Sequence, residues 1–121
     1  MSGTKPEAYL LGIINESSAG LGAKAYADVP ATRPATFVTV ERTGGQRTLF
    51  LDSGTYAVQA WASTRSKAAD LAQRLADLLL TAPARYGRLA STTVVSVYNF
   101  PDPDSTQARY QATVTAVITT N

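Results

Sequence analysis

The side chains with chemical potential in this chain are few and scattered. Asp102 and Asp104 flank Pro103 in a short acidic turn, Asn99-Phe100-Pro101-Asp102-Pro103-Asp104-Ser105. Two carboxylates at that spacing, with no third, fall short of the oxygen set that a calcium loop supplies. Ser53-Gly54 and Gly20-Leu21-Gly22 invite comparison with phosphate loops. Neither has the GxxxxGK[ST] spacing or the strand–GxGxxG–helix setting that such loops require. Glu41, Asp52 and the long-helix residues Asp70 and Asp77, two turns apart, form no evident carboxylate pair. The chain has no cysteine, which removes disulfides, thiolate metal sites and thiol nucleophiles. It has no histidine, which removes the commonest metal ligand and the usual general base near neutral pH. The expectation is a protein that is not an enzyme, with no catalytic residues, no cofactor and no metal.

Those residues need elements to hold them, and the acidic turn leads directly into the clearest strand. Tyr110, Ala112, Val114, Ala116 and Ile118 alternate with Arg109, Gln111, Thr113 and Thr115, which predicts a half-buried strand. Pro101 and Pro103 each fix a φ angle and push the preceding residue into an extended conformation, so the turn is stiff. Asp102, Asp104 and Ser105 are suited to bonding nearby backbone amides.

Upstream, residues 1–5 are expected to be disordered. Pro6 suits the first turn of a helix running to about residue 17, with Tyr9, Leu10, Ile13 and Ile14 along one stripe. Ser17, Ser18 and Gly20 are expected to stop it. Residues 24–29 form a short strand candidate, and Pro30 and Pro34 hold an extended connector. Residues 36–42 alternate as a strand, and Gly44-Gly45 signals a turn. Residues 49–52 read as a short edge strand or part of a long hairpin loop, and residues 54–62 as the next strand. Ser63 or Thr64 is placed to cap the clearest helix. Along that helix Ala68, Leu71, Ala72, Leu75, Leu78 and Leu79 recur at helical spacing, and Pro83 ends it. Residues 85–90 read as a loop and 93–100 as a strand. Trp61 is expected to pack under the long helix, and Tyr98 and Tyr110 to pair across the turn.

The whole reads as a single α+β domain over residues 1–121. It has a mainly antiparallel sheet, an N-terminal helix, one long helix packed on the sheet and a long β-hairpin arm. At 121 residues the chain is large enough to bury a core without staples. A formal charge of +2 is too small to imply general nucleic-acid binding. The apolar patch 9–14 is too short to span a bilayer and lacks the flanks of a secretory signal, so no membrane partner is expected.

Four local patterns give the chain a resemblance to the tail terminator proteins of long-tailed bacteriophages, also called minor tail or tail-completion proteins. The first is Val29-Pro30…Arg33-Pro34 followed by Phe37-Val38-Thr39-Val40. The second is Gly44-Gly45 leading to Leu49-Phe50-Leu51-Asp52. The third is Tyr56-Ala57-Val58-Gln59-Ala60-Trp61-Ala62 running into Ser66-Lys67-Ala68-Ala69-Asp70-Leu71-Ala72. The fourth is the acidic turn followed by Gln107-Ala108-Arg109-Tyr110 and a C-terminal strand. Together they span roughly residues 25–118, and the look is closest to terminators of phages that infect actinobacteria.

The resemblance implies a structural virion protein at the head-proximal end of the tail, assembled in the host cytoplasm. Such proteins form a homo-oligomeric ring, usually of six copies, that ends growth of the tail tube. The ring docks to head-completion and neck proteins, with DNA only passing through its lumen. Another neck component, such as a head-closure or adaptor ring, and a small host α+β binding domain are the alternatives. Candidate inter-subunit or tube contacts are Arg47, Leu49, Phe50 and Leu51, because adjacent apolar residues in a loop otherwise lie exposed. The candidate docking turn is Pro101, Asp102, Pro103 and Asp104, and the core helix face is Leu71, Leu75, Leu78 and Leu79. Arg42, Arg47, Arg65, Lys67, Arg74, Arg85, Arg88 and Arg109 read as solvated surface, as inter-subunit ion pairs or as lining of a lumen that conducts DNA, although a basic lumen is not itself expected.

Overall fold

A computed structural model describes residues 5–120. The expectation of disorder over residues 1–5 therefore lies, except for Lys5, outside the described residues. Helix α1, Pro6–Glu16, begins with its proline in the first turn, where a missing amide hydrogen costs nothing. It buries Leu10, Ile13 and Ile14. It ends at Glu16 with Ser17 as its C-terminal cap, as expected, but Ser18 and Gly20 do not stop the chain's winding: they belong to a further single turn, α2, Ser18–Leu21. Gly22, at φ 72°, is the residue that terminates the helical path, because the left-handed region favours glycine.

Five strands follow: β1 Lys24–Tyr26, β2 Phe37–Arg47, β3 Leu51–Ala62, β4 Leu89–Asn99 and β5 Ala108–Thr119. They form one sheet in the order β1-β2-β3-β5-β4. All pairings are antiparallel except β1 with β2. Strand β1 is shorter than the candidate at 24–29, and β4 starts earlier than expected, at Leu89.

Gly44-Gly45 is not a turn. Both residues lie inside β2, beside a register shift that leaves Thr43 unmatched, and pair with Thr55 and Gly54. Gly45 has φ 132°, and a Cβ there would lie 2.3 Å from the carbonyl oxygen of Ser53. Gly45 therefore serves the irregular stretch beside the bulge, which needs glycine's backbone freedom and close approach as much as a turn does. The reversal comes later, closed by the Thr48 amide donating 2.8 Å to the Leu51 carbonyl. Residues 51–53 accordingly extend β3 instead of forming a separate edge strand.

Helix α3, Arg65–Thr81, is capped by Thr64, whose hydroxyl accepts from the Lys67 amide at 3.2 Å. A short 3₁₀ turn, Ala82–Ala84, follows it. The helix lies across β3, β5 and β4. Its Leu71, Leu75 and Leu79 are buried with Tyr56, Val58, Ala60, Val114 and Ile118. Leu78 sits at the margin of that core. Thr92 on β4 donates 2.6 Å to the Leu79 carbonyl and so satisfies an end of α3.

Trp61 does not pack under α3. Strand alternation sends Tyr56, Val58 and Ala60 to the helices and Trp61 to the other face. There it stacks on Phe37, with ring centroids 5.1 Å apart and planes 12° apart. Tyr98 and Tyr110 do not face each other either: Tyr98 is opposite Gln111, and Asn99 is opposite Tyr110. Tyr98 meets Phe100 instead, at 5.8 Å between centroids.

Candidate assembly surface

Three surfaces carry the residues singled out by sequence. The first is the β2–β3 tip. Thr48, Leu49 and Phe50 cross between the strands, and Leu49 is 80% exposed, Phe50 67% and Leu51 41%. Strand β5 pairs with β3 as far as Leu51, opposite Thr119. The Thr120 amide donates 3.0 Å to the Phe50 carbonyl, and its hydroxyl donates 2.6 Å to the Leu49 carbonyl. The backbone of the tip is thus held while its apolar side chains point outward. Arg47 lies 3.8 Å from the buried Asp52, which also pairs with Arg42. The Arg42 and Arg47 guanidinium groups and the Asp52 carboxylate thus sit together at the base of the tip. Beside them, Tyr56 Oη is buried with no hydrogen-bond partner among the described residues, and burial pushes the phenol pKa up.

The second surface is the acidic turn, and it is docked within the chain. Arg33, from the connector between β1 and β2, reaches Asp102 at 3.2 Å and the Ser105 hydroxyl at 3.1 Å. Ser105 Oγ donates 2.6 Å to Asp102 Oδ2, and the Asp104 amide donates 3.2 Å to Asp102 Oδ1. The Ser105 hydroxyl, the Asp104 amide and Arg33 hold the Asp102 carboxyl below its ordinary range. Gln107 Nε2 donates to the carbonyls of Pro34 and Ala35, at 3.0 and 3.3 Å. Together the connector and the turn close over Phe37 and Trp61, with Arg33 and Arg109 near the indole ring at 5.3 and 5.0 Å. Pro101, Pro103 and Asp104 remain exposed on the outside of this cap.

The third surface is the rest of the helix-free face. Trp61 Nε1 donates to Thr39 Oγ1 at 3.0 Å, and that hydroxyl donates to Gln59 Oε1 at 3.1 Å. Gln59 Nε2 continues to Gln111 Oε1 at 3.0 Å, and Gln111 to Thr113 Oγ1 at 3.1 Å. Thr55 and Thr115, opposite one another, extend this polar row, which Glu41 borders beside Thr39 and Gln59. Sequence reasoning missed the Arg33–Asp102 clasp and the row of amides, since each joins residues from distant segments. The only sequence signal was glutamine at matched, outward positions of two strands.

The two edges of the sheet differ. Along β1, Asn15 of α1 donates 3.1 Å to the Ala25 carbonyl and accepts 2.8 Å from its amide. Glu7 accepts from the Arg42 amide at 2.9 Å. Helix α1 therefore closes much of that edge with side chains. Strand β4 is the opposite edge, an uncharged run interrupted by register shifts that leave Ala90 and Val95 unmatched. Val95 is 62% exposed.

Of the basic residues, several are engaged within the chain. Arg74 bonds Asp70 and the Gly20 and Leu21 carbonyls, Arg88 the Thr119 carbonyl, and Arg109 the Phe100 and Pro101 carbonyls. Among the described residues, no group of three acidic side chains is gathered where it could hold a metal ion. No described helix is long and apolar enough to cross a membrane.

This arrangement defines an α+β fold of one mostly antiparallel sheet with helices on one face. No protein-family model and no curated protein matches the chain. Among solved structures it is similar to a chain of the virion of a native gene transfer agent particle. The TM-score is 0.57 at 14% identity, covering 94% of this chain and 87% of that one. At that identity the likeness is one of fold.

Proposed function

We propose that the chain is a structural virion protein that performs no catalytic step. It forms a ring at the head-proximal end of a phage tail tube, where it ends tube growth and offers the surface to which head and neck proteins dock. The observation that carries the reading is the near full-length likeness in fold to a virion chain of a gene transfer agent particle. The four sequence patterns that resemble tail terminators support it, since they occur in order along one domain.

The surfaces suit that role. A ring needs two unlike surfaces on each copy, and a held apolar tip and an open β4 edge are unlike surfaces. The Thr and Gln row, bordered by the Glu41 carboxylate, offers little hold on phosphates, which fits a wall past which DNA slides. The experiment is to assemble tails with and without the protein and image them. Tails of uncontrolled length in its absence, and density for the chain between tube and head in intact particles, are the expected results. Normal tails without it, or no such density, would refute the reading.

A further inference from the structure

The exposed tip has a matching hollow elsewhere on the same molecule. Ala8, Tyr9, Gly12, Ile13, Glu16 and Tyr86 line a groove of 490 Å³ between α1 and the segment that enters β4. Its floor is apolar, and its walls are fixed. Arg88 lies 5.0 Å over the Tyr9 ring, and the Tyr86 hydroxyl donates 2.9 Å to Glu16. Gly12 leaves the centre open, because a Cβ there would meet no atom of the described residues within 4 Å. Phe50 of the same chain does not fill the groove, since it is 67% exposed.

We propose that the Leu49–Phe50 tip of one copy seats in this groove of a second copy. The inference rests on the ring reading and names the surfaces that would meet. Three observations favour a copy of this chain as the occupant. The plug is apolar and convex, and the groove is apolar, concave and larger than one aromatic side chain. The base of the plug carries the half-exposed cation Arg47, while the rim of the groove carries Glu16. Both surfaces are braced through the end of β5, Arg88 by bonding Thr119 and the tip by bonding Thr120, so neither needs to rearrange to bind. A patch on a molecule that fits a pocket elsewhere on it makes a head-to-tail contact, which closes into a ring when the rotation permits.

The chain has no cysteine, which makes the test direct. Both Gly12→Cys and Leu49→Cys are introduced in one chain, which keeps the Phe50 anchor, the protein is oxidised mildly, and the disulfides are mapped by mass spectrometry. Bonds between position 12 of one copy and position 49 of another are expected. Bonds only between like positions overturn the contact, as does a protein that stays monomeric without cross-links at its highest soluble concentration. A ladder beyond dimers agrees with a ring, whereas cross-linking that stops at dimers keeps the contact and counts against the ring. Conversely, 12–49 bonds in a protein absent from particles would sink the virion role and leave the contact standing. In the cysteine-free chain, Phe50→Asp is expected to weaken self-association about tenfold or more, as truncating a buried aromatic anchor does. Sedimentation that is unchanged in that variant would also overturn the proposal.

Discussion

Arg33 Nη1 meets Asp102 Oδ2 at 3.2 Å across a sequence separation of 69 residues, and this contact fastens two proline-stiffened segments over Trp61. The Asp102 side chain is almost wholly enclosed, while Arg33 is one-third exposed. The clasp is therefore worth more than a fully solvated pair and less than a buried one.

Asp102→Asn is expected to destabilise the fold by about 1 kcal/mol at neutral pH. The folded carboxyl titrates below its ordinary value. Its contribution is therefore present above the unfolded pKa and fades as pH falls through the folded one. Urea unfolding of both proteins at pH 7 and at pH 3 checks this, and the gap between them should shrink in acid. A gap that is constant with pH would mean that the carboxylate charge plays no part.

The helix–sheet core and the tip should respond differently to the same charge. Leu75 is fully buried, so Leu75→Asp is expected to unfold the domain, and Leu75→Ala to cost about 2–5 kcal/mol. Phe50→Asp should leave thermal stability within about 0.5 kcal/mol, because the side chain is already in solvent. Circular dichroism melts decide it, and equal unfolding of both aspartate variants would end the tip's role as a contact surface.

Gly54 and Tyr56 form a tight pair on the core face of β3. A Cβ at Gly54 would lie 2.8 Å from the Tyr56 ring and from its hydroxyl. Gly54→Ala is expected to cost about 1–3 kcal/mol by overpacking. Tyr56→Phe removes a buried hydroxyl with no hydrogen-bond partner among the described residues, so stability should be unchanged or slightly higher. A large loss in Tyr56→Phe would point to a bond to that oxygen from the neighbouring Arg42 guanidinium or through solvent.

Asn15→Ala strips both hydrogen bonds from the outer edge of β1. The expected cost is about 1 kcal/mol, with faster amide exchange at Ala25. Exchange measured by nuclear magnetic resonance should show the change at residue 25 and not along β5. Unchanged exchange at Ala25 would mean that the side chain does not close this edge.

Much of the architecture was legible because period and punctuation speak for themselves. The stripe of Leu71, Leu75 and Leu79 and the alternation from Tyr110 to Ile118 each placed an element correctly. The misreadings share a cause. Gly44-Gly45 signals backbone freedom, which a bulge uses as readily as a turn, and only the register against Gly54 and Thr55 tells them apart. Alternation set Trp61 opposite Val58 and Ala60 but could not say which side the helix would cover. The clasp of Arg33 on Asp102 and the groove around Gly12 join distant segments, so nothing local announces them.

Strand β5 sits between β3 and β4, and the ladder that joins it to β3 runs from Ala62–Ala108 to Leu51–Thr119. The two antiparallel pairs on either side can each zip up quickly from nearby residues. The seam between them closes late, because it must bring remote parts of the chain together. Until then a bare run of β3 amides and carbonyls accepts the matching hairpin from any molecule that arrives first. Refolding from denaturant should accordingly yield domain-swapped pairs at high protein concentration and clean single molecules on dilution.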